Sequence, residues 1–95
     1  MTKADIVEII ASNTGITKIE TEAVVNGFLN TVIESLKKGE KIELRGFGTF
    51  KVVKRAKRIA RNPKTNEEVT VPEQHVPVLK VSKEFKQGVN SQWNS

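Results

Sequence analysis

The segment at residues 54–61 constrains the fold most strongly, because it has the length of a β-strand but is positively charged on both faces. Successive side chains of a strand point to opposite faces. Arg55 and Arg61 therefore share one face. Lys54 and Arg58 share the other. Charged side chains are almost never fully buried without partners, so neither face can cover an apolar core, and we expect this strand to leave the body of the protein.

The residues that follow predict a turn and a return strand. Residues 62–66 read Asn-Pro-Lys-Thr-Asn, and proline is well suited to the second position of a turn. Strand character resumes over residues 67–71, where Val69 and Val71 alternate with polar residues. Residues 54–71 are therefore predicted to form a protruding β-ribbon arm, and its outgoing half can extend about 26 Å.

The positive charge of the chain is concentrated around this arm. Of the 16 basic and 11 acidic residues, nine basic and one acidic residue lie at positions 41–64, which gives that segment a net charge of +8. The rest of the chain has seven basic and ten acidic residues, a net charge of −3. A concentrated basic block favours a polyanionic partner, of which nucleic acid is the commonest and an acidic membrane surface a more distant alternative. The basic residues of the block are Lys41, Arg45, Lys51, Lys54, Arg55, Lys57, Arg58, Arg61 and Lys64.

Two helices are predicted before the first strand. The first opens with Thr2 and Asp5, which are spaced as an N-terminal capping box, and Gly15 is a suitable stop signal. The second opens with a similar box at Thr17 and ends near Lys38. A glycine follows that end, as it often does after a helix.

The second helix predicts a second subunit. Its apolar residues cover more than one narrow stripe, and one small sheet can cover only one face. A chain of 95 residues buries a modest core, and such chains often recruit disulfides, a metal or a second subunit. Because the chain has no cysteine, an oligomer is the economical supplement, and residues 1–39 are predicted to be the helical dimerisation region. The predicted dimer core consists of Phe28, Leu29, Val32, Leu36, Leu44, Phe47, Phe50 and Leu79.

The remaining residues predict a small antiparallel sheet and a third helix. Residues 40–53 and 72–81 have the pattern of strands in the body of the protein. Residues 82–90 are predicted to form a short helix, and residues 91–95 a frayed tail. The predicted fold class is α+β in a single domain, with an N-terminal helix-turn-helix body, a small antiparallel sheet, a protruding arm and a C-terminal helix.

The residues that are absent disfavour several classes of function. Without cysteine there are no thiolate metal sites, and His75 cannot build a metal site alone. No apolar run approaches the ~20 residues of a membrane span, and the N-terminus lacks the apolar core of a signal peptide. We therefore expect no metal, no cofactor, no membrane association and no catalysis, and we expect a cytoplasmic location.

Several residues allow two interpretations. Pro63 is either a turn residue or an apolar wedge that kinks a duplex between base steps. Lys3, Lys83 and Lys86 are either phosphate contacts or solvated surface charges. Trp93 is either a residue of the tail or the cover of an apolar patch.

Several short motifs occur together in this chain. They are Gly-Phe-Gly-Thr-Phe at residues 46–50, Arg55, Arg58, Arg-Asn-Pro-Lys-Thr at residues 61–65, and the pair Val76 and Pro77. In these motifs and in the order of its predicted elements, the chain resembles the bacterial HU and integration host factor family over about residues 1–90.

The resemblance implies an intertwined homodimer whose two arms wrap double-stranded DNA in the nucleoid. It implies that Arg55, Arg58 and Arg61 line the minor groove. It also implies that Pro63 intercalates, since kinking of DNA through the minor groove is an established property of this family.

The chain departs from the family pattern at four positions. Ala60 and Asn66 stand in the arm where glycine is common, which predicts a stiffer arm or a changed turn. Leu79 stands where many members have phenylalanine, and Ser82 where glycine is common.

The predicted function is that of a histone-like architectural protein, which bends and compacts double-stranded DNA largely without sequence preference and favours bent, nicked or structured DNA. One alternative is a sequence-preferring subunit similar to integration host factor. Another is a small basic RNA-binding protein. The predicted DNA-binding residues are Lys3, Lys54, Arg55, Lys57, Arg58, Arg61, Asn62, Pro63, Lys64, Lys83 and Lys86.

Overall fold

The computed structural model describes residues 1–94 and has an α+β architecture. The chain forms two compact units, residues 1–35 and the residues from 36 onward. The elements are α1 (Lys3–Thr14), α2 (Lys18–Lys37), β1 (Ile42–Leu44), β2 (Gly48–Arg55), β3 (Arg58–Arg61), β4 (Glu68–Val71), β5 (Gln74–Val81) and α3 (Lys83–Trp93). The predicted α+β class is confirmed.

Helix α1 has the predicted caps. The backbone N–H of Asp5 donates to Thr2 Oγ1 at 3.3 Å, and the backbone N–H of Thr2 donates to Asp5 Oδ2 at 2.8 Å. At the other end, Gly15 adopts a left-handed conformation with φ of 77° and donates its N–H to the carbonyl of Ala11. Both ends of the helix therefore satisfy backbone groups that a helix leaves without internal partners.

Helix α2 begins where the sequence predicts and ends one residue earlier. Thr17 Oγ1 accepts the backbone N–H of Glu20 at 3.2 Å, which caps the first turn. Thr21 is almost fully buried, and its hydroxyl donates to the carbonyl of Thr17 at 2.8 Å. Gly39 then ends the helix with φ of 78° and an N–H bonded to the carbonyl of Leu36.

The chain buries little apolar surface by itself. Among residues 1–94, the buried hydrophobic side chains are Val7 and Ala11. Large apolar residues of α2 remain exposed, including Phe28, which is 47% exposed, and Ile33. Apolar side chains of α2 are therefore left exposed in the described part of the chain.

The larger sheet is antiparallel with the order β1-β2-β5. A side chain at Gly48 would bring its Cβ within 2.6 Å of the Lys80 carbonyl oxygen, so this close approach of β2 and β5 requires glycine. Pro77 pairs with Val52 on β5, which is an edge strand. Pro77 therefore lies at the edge of the sheet, a position that suits a residue without an N–H.

Helix α3 is longer than predicted. Ser82 caps it by accepting the N–H of Phe85 at 3.1 Å, and the same hydroxyl donates to the carbonyl of Gly46 at 2.9 Å. The helix continues to Trp93 rather than ending at residue 90, so the prediction of a frayed tail is wrong for residues 91–93. Neither glycine nor proline follows residue 90, and the N–H of Asn94 still bonds to the carbonyl of Asn90. Ser95, the last residue of the predicted tail, lies outside the described residues.

Candidate nucleic-acid interface

The arm begins beyond the predicted boundary. Lys54 and Arg55 still pair with His75 and Gln74 in the three-stranded sheet. The boundary predicted at residue 54 is thus two residues early, because both strands stay extended up to this pair. Pro72 follows on the return side and has no N–H to donate to a ladder.

A separate two-stranded ribbon lies beyond this break. Strands β3 and β4 pair antiparallel from Arg58 opposite Val71 to Arg61 opposite Glu68. We call residues 58–71 the distal ribbon. The predicted hairpin is thus present, with its ladder interrupted once between the sheet and the distal ribbon.

The tip of the distal ribbon is shaped by two asparagines. The N–H of Asn66 donates to the carbonyl of Asn62 at 2.7 Å, and the N–H of Lys64 donates to Asn62 Oδ1 at 2.9 Å. The N–H of Asn62 in turn bonds to the carbonyl of Glu67. Asn62, predicted as a DNA contact, therefore shapes the loop on which the exposed Pro63 lies.

Asn66 adopts a left-handed conformation with φ of 60°. Among residues with a side chain, asparagine is one of those that tolerate this region best, whereas glycine is the usual occupant. The departure from glycine at this position is therefore compatible with the turn. Ala60, the other departure in the arm, is half-buried in β3 and lies opposite Val69.

The cations of the distal ribbon point to both of its faces. Because side chains alternate along β3, Arg58 and Arg61 lie on opposite faces. The exposed cationic residues of this region are Arg55, Lys57, Arg58 and Lys64. The predicted basic positions of the arm are thus available to a large ligand.

Two acidic residues on the return side of the hairpin contact cations on its outgoing side, and these contacts were not predicted from the sequence. Arg61 Nη2 lies 3.8 Å from Glu68 Oε1, and Arg61 Nη1 donates to Asn66 Oδ1 at 3.4 Å. Lys54 Nζ lies 3.5 Å from Glu73 Oε2. All of these groups are solvent-exposed, so each ion pair contributes between zero and about 1 kcal/mol.

The distal ribbon also exposes apolar side chains that were not predicted as site residues. Ile59 is 68% exposed and shares a face of β3 with Arg61. Val69 of β4 is exposed as well. The sequence could have indicated this exposure, because Ile59 and Val69 are β-branched residues in a segment that covers no core.

The remaining predicted phosphate contacts lie in different units. Lys3, at the start of α1, donates from Nζ to Asn26 Oδ1 at 2.9 Å. Lys83 and Lys86 lie in the first turn of α3 and are exposed. The structure therefore leaves their role in DNA binding a prediction.

Three phenylalanines contact one another, and they are Phe47 in the turn after β1, Phe50 of β2 and Phe85 of α3. The rings of Phe47 and Phe50 stack with centroids 6.4 Å apart, and Phe47 meets the edge of Phe85 at 5.2 Å. Packing of this kind is what we expect of a core rather than of rings spread out for bases. None of the eight predicted dimer-core residues is buried within one chain.

Within residues 1–94, no group of His, Cys, Asp and Glu side chains could hold a metal ion. None of the helices in this part of the chain combines the length and the apolar character that a membrane span needs.

Comparison with known proteins identifies the family of the chain. A family model described as bacterial DNA-binding protein matches residues 1–90. The chain belongs to the bacterial DNA-binding protein family. This membership confirms the resemblance stated from the sequence motifs, and it agrees with the expectation that the chain is not an enzyme.

Individual members of the family are similar over their full length. The DNA-binding protein HU of Clostridium pasteurianum is 43% identical over 90 residues, which cover 95% of this chain and 99% of the relative. The DNA-binding protein HU of Lactococcus lactis subsp. lactis is 44% identical over 87 residues, covering 92% and 96%. Anabaena HU in a cocrystal with DNA superimposes with a TM-score of 0.87 at 38% identity, covering 94% and 97% of the two chains.

Proposed function

We propose that the chain is an architectural protein that bends double-stranded DNA as a homodimer, with one arm of each subunit in the minor groove. The observation that carries this proposal is the distal ribbon. It has exposed cations on both faces and an exposed proline at its tip. The DNA present in the Anabaena HU cocrystal supports DNA as the ligand.

The two-faced charge of the distal ribbon favours insertion into a groove. A ribbon that lies flat on one phosphate strand needs cations on one face only. With Arg58 and Arg61 on opposite faces, the ribbon can contact the phosphates of both walls of a groove. Arginine is also the preferred cation in a narrow minor groove, where the negative potential is enhanced.

The tip supplies the means of bending. Pro63 presents a compact apolar ring without an N–H, and residues of this kind kink duplexes by entering a base step. Unstacking a step costs a few kcal/mol, which is offset by the additional contacts that bent DNA makes with the protein. The minor groove itself distinguishes little beyond A·T from G·C, so binding is largely independent of sequence.

The homodimer provides two arms for one piece of DNA. Its interface covers the apolar residues that one chain leaves exposed or half-buried, among them Phe28, Leu29 and Leu79. Lys3, Lys83 and Lys86 contact phosphates beside the bend. A protein with these properties acts in the cytoplasm on the DNA of the nucleoid.

Energy transfer between dyes at the two ends of a duplex, recorded beside gel shifts, tests the proposal. The probes are intact, nicked and four-way DNA of unrelated sequences and a structured RNA of equal length. We expect bending, tighter binding to nicked and four-way DNA, and similar affinities across sequences. Preference for the RNA would favour the RNA-binding alternative, and strong preference for one sequence would favour the alternative similar to integration host factor. Binding without bending would refute the architectural role.

A further inference from the structure

Each face of the distal ribbon carries one arginine and one exposed apolar side chain. Residues that lie opposite each other in an antiparallel pair project to the same face. Val69 pairs with Ala60 and therefore shares a face with Arg58. Ile59 and Arg61 lie on the other face, and Ile59 is 68% exposed. The proposed DNA contacts use the arginines and leave Ile59 without a role.

The face that carries Ile59 gains little from net charge. Within strands β3 and β4, its charged residues are Arg61 and Glu68, which lie opposite each other with Arg61 Nη2 3.8 Å from Glu68 Oε1. The formal charges of these two residues cancel. Arg58, on the other face, lies opposite the apolar Val71 and keeps its charge uncompensated there. Binding of the Ile59 face to a groove wall therefore has to draw on a contact that does not depend on charge.

Ile59 is the group on this face that gains most from leaving water, because its side chain is large, apolar and exposed. It lies two residues from Arg61, about 7 Å along the strand. When Arg61 reaches a phosphate, Ile59 therefore lies beside the same wall of the groove. Between the phosphates this wall consists of sugars, and it is apolar in DNA where RNA displays a 2′-hydroxyl.

We propose that Ile59 packs against deoxyribose in the minor groove and thereby selects DNA over RNA. The inference rests on the proposed function and gives the arm a means of distinguishing the two nucleic acids. On DNA the contact removes apolar surface from water. On RNA the same approach covers a 2′-hydroxyl with an apolar side chain and deprives it of a hydrogen-bond partner, which is unfavourable. Ile59 therefore favours DNA without adding a phosphate contact.

Ile59→Thr in the full-length protein tests the apolar contact. Threonine keeps the β-branched shape that suits a strand, but it has a hydroxyl in place of the ethyl group of isoleucine. The affinity for a DNA duplex should fall about tenfold or more, since each dimer has two arms. The slope of log affinity against log salt concentration should stay unchanged, because no charge is removed. Ile59→Val, which removes a single carbon, should bind more tightly than Ile59→Thr.

A DNA duplex with single ribonucleotides embedded along both strands tests the discrimination directly, because it places 2′-hydroxyls in the groove. Wild type should bind this duplex about fivefold or more weakly than the all-DNA duplex of the same sequence. Ile59→Thr should bind the two duplexes alike, since its hydroxyl can hydrogen-bond a 2′-hydroxyl. Ile19→Thr is the matched control, because Ile19 is 83% exposed on α2 and lies outside the arm. It should behave as wild type in both titrations.

Two results would overturn the role of Ile59 and leave the proposed function intact, provided that wild type still bends DNA. One is equal affinity of wild type for the two duplexes, and the other is wild-type affinity of Ile59→Thr for DNA. A weaker Ile59→Thr with a less negative salt slope would also overturn it, because the loss would then come from displaced charges. Preference of wild type for an RNA duplex over a DNA duplex would refute both this contact and the proposed function.

Discussion

The N–H of Asn66 donates a 2.7 Å hydrogen bond to the carbonyl of Asn62, and this bond closes the loop on which Pro63 lies. To close the loop, Asn66 adopts a left-handed backbone conformation with φ of 60°. The tip therefore depends on one residue that tolerates this conformation and on one whose side chain orders the loop. This relationship connects a local backbone preference with the proposed bending of DNA.

The first prediction concerns the left-handed residue. Asn66→Ala should weaken DNA binding about five- to thirtyfold, because a left-handed backbone costs a residue such as alanine about 1–2 kcal/mol. Asn66→Gly should bind as wild type, since glycine adopts this conformation readily. Titrations of one labelled duplex compare the three proteins. The thermal midpoint should change little, because the loop lies outside the sheet and helices. Equal affinities of the alanine and glycine variants would contradict the role assigned to Asn66.

The second prediction concerns the wedge. Pro63→Ala should reduce the bend angle and the preference for nicked DNA more than it reduces the salt dependence of binding, because it removes an apolar ring and no charge. Energy transfer across a labelled duplex reports the bend. Pro77→Ala is the matched control, since it makes the same substitution in the edge strand β5. If Pro63→Ala bends DNA as sharply as wild type, Pro63 is only a turn residue.

The third prediction concerns the arginines. Each phosphate that a protein neutralises adds about −0.9 to the slope of log affinity against log salt concentration. Replacing Arg55, Arg58 and Arg61 together by alanine should make the slope less negative by up to about 2.7. Binding to unrelated sequences should weaken alike, as measured by titration at several salt concentrations. An unchanged slope would place the phosphate contacts elsewhere on the protein.

The fourth prediction concerns the acid that contacts Arg61. Glu68→Gln should tighten DNA binding, because Arg61 no longer has to leave an ion pair and the arm gains positive charge. The exposed pair is weak, so the gain should be at most about fivefold and should shrink as salt rises. Glu40→Gln removes the same charge outside the arm and serves as the control. A gain no larger than that of Glu40→Gln would show that the pair with Glu68 does not restrain Arg61.

Features that depend on neighbours in the sequence could be read from the sequence alone. The cap formed by Thr2 and Asp5, the stop at Gly15 and the turn at residues 62–66 each involve residues within a few positions of one another. The exit of the arm was also predictable, because a strand with cations on both faces cannot cover a core. The exposed apolar face of α2 followed from its pattern in the same way.

Only the tertiary structure decided the features that depend on strand register and on distant packing. Because Arg55 pairs with Gln74 in the larger sheet, the arm starts later in the chain than the sequence predicts. Because Arg61 lies opposite Glu68, the two side chains form an ion pair that the sequence did not predict. Ser82 gained a second partner in Gly46, 36 residues away. Periodicity identifies a strand but not its partner, since a shift of one residue in register exchanges its faces. The sequence therefore determined which segments are helix, sheet and arm, and the fold determined which side chains they bring into contact.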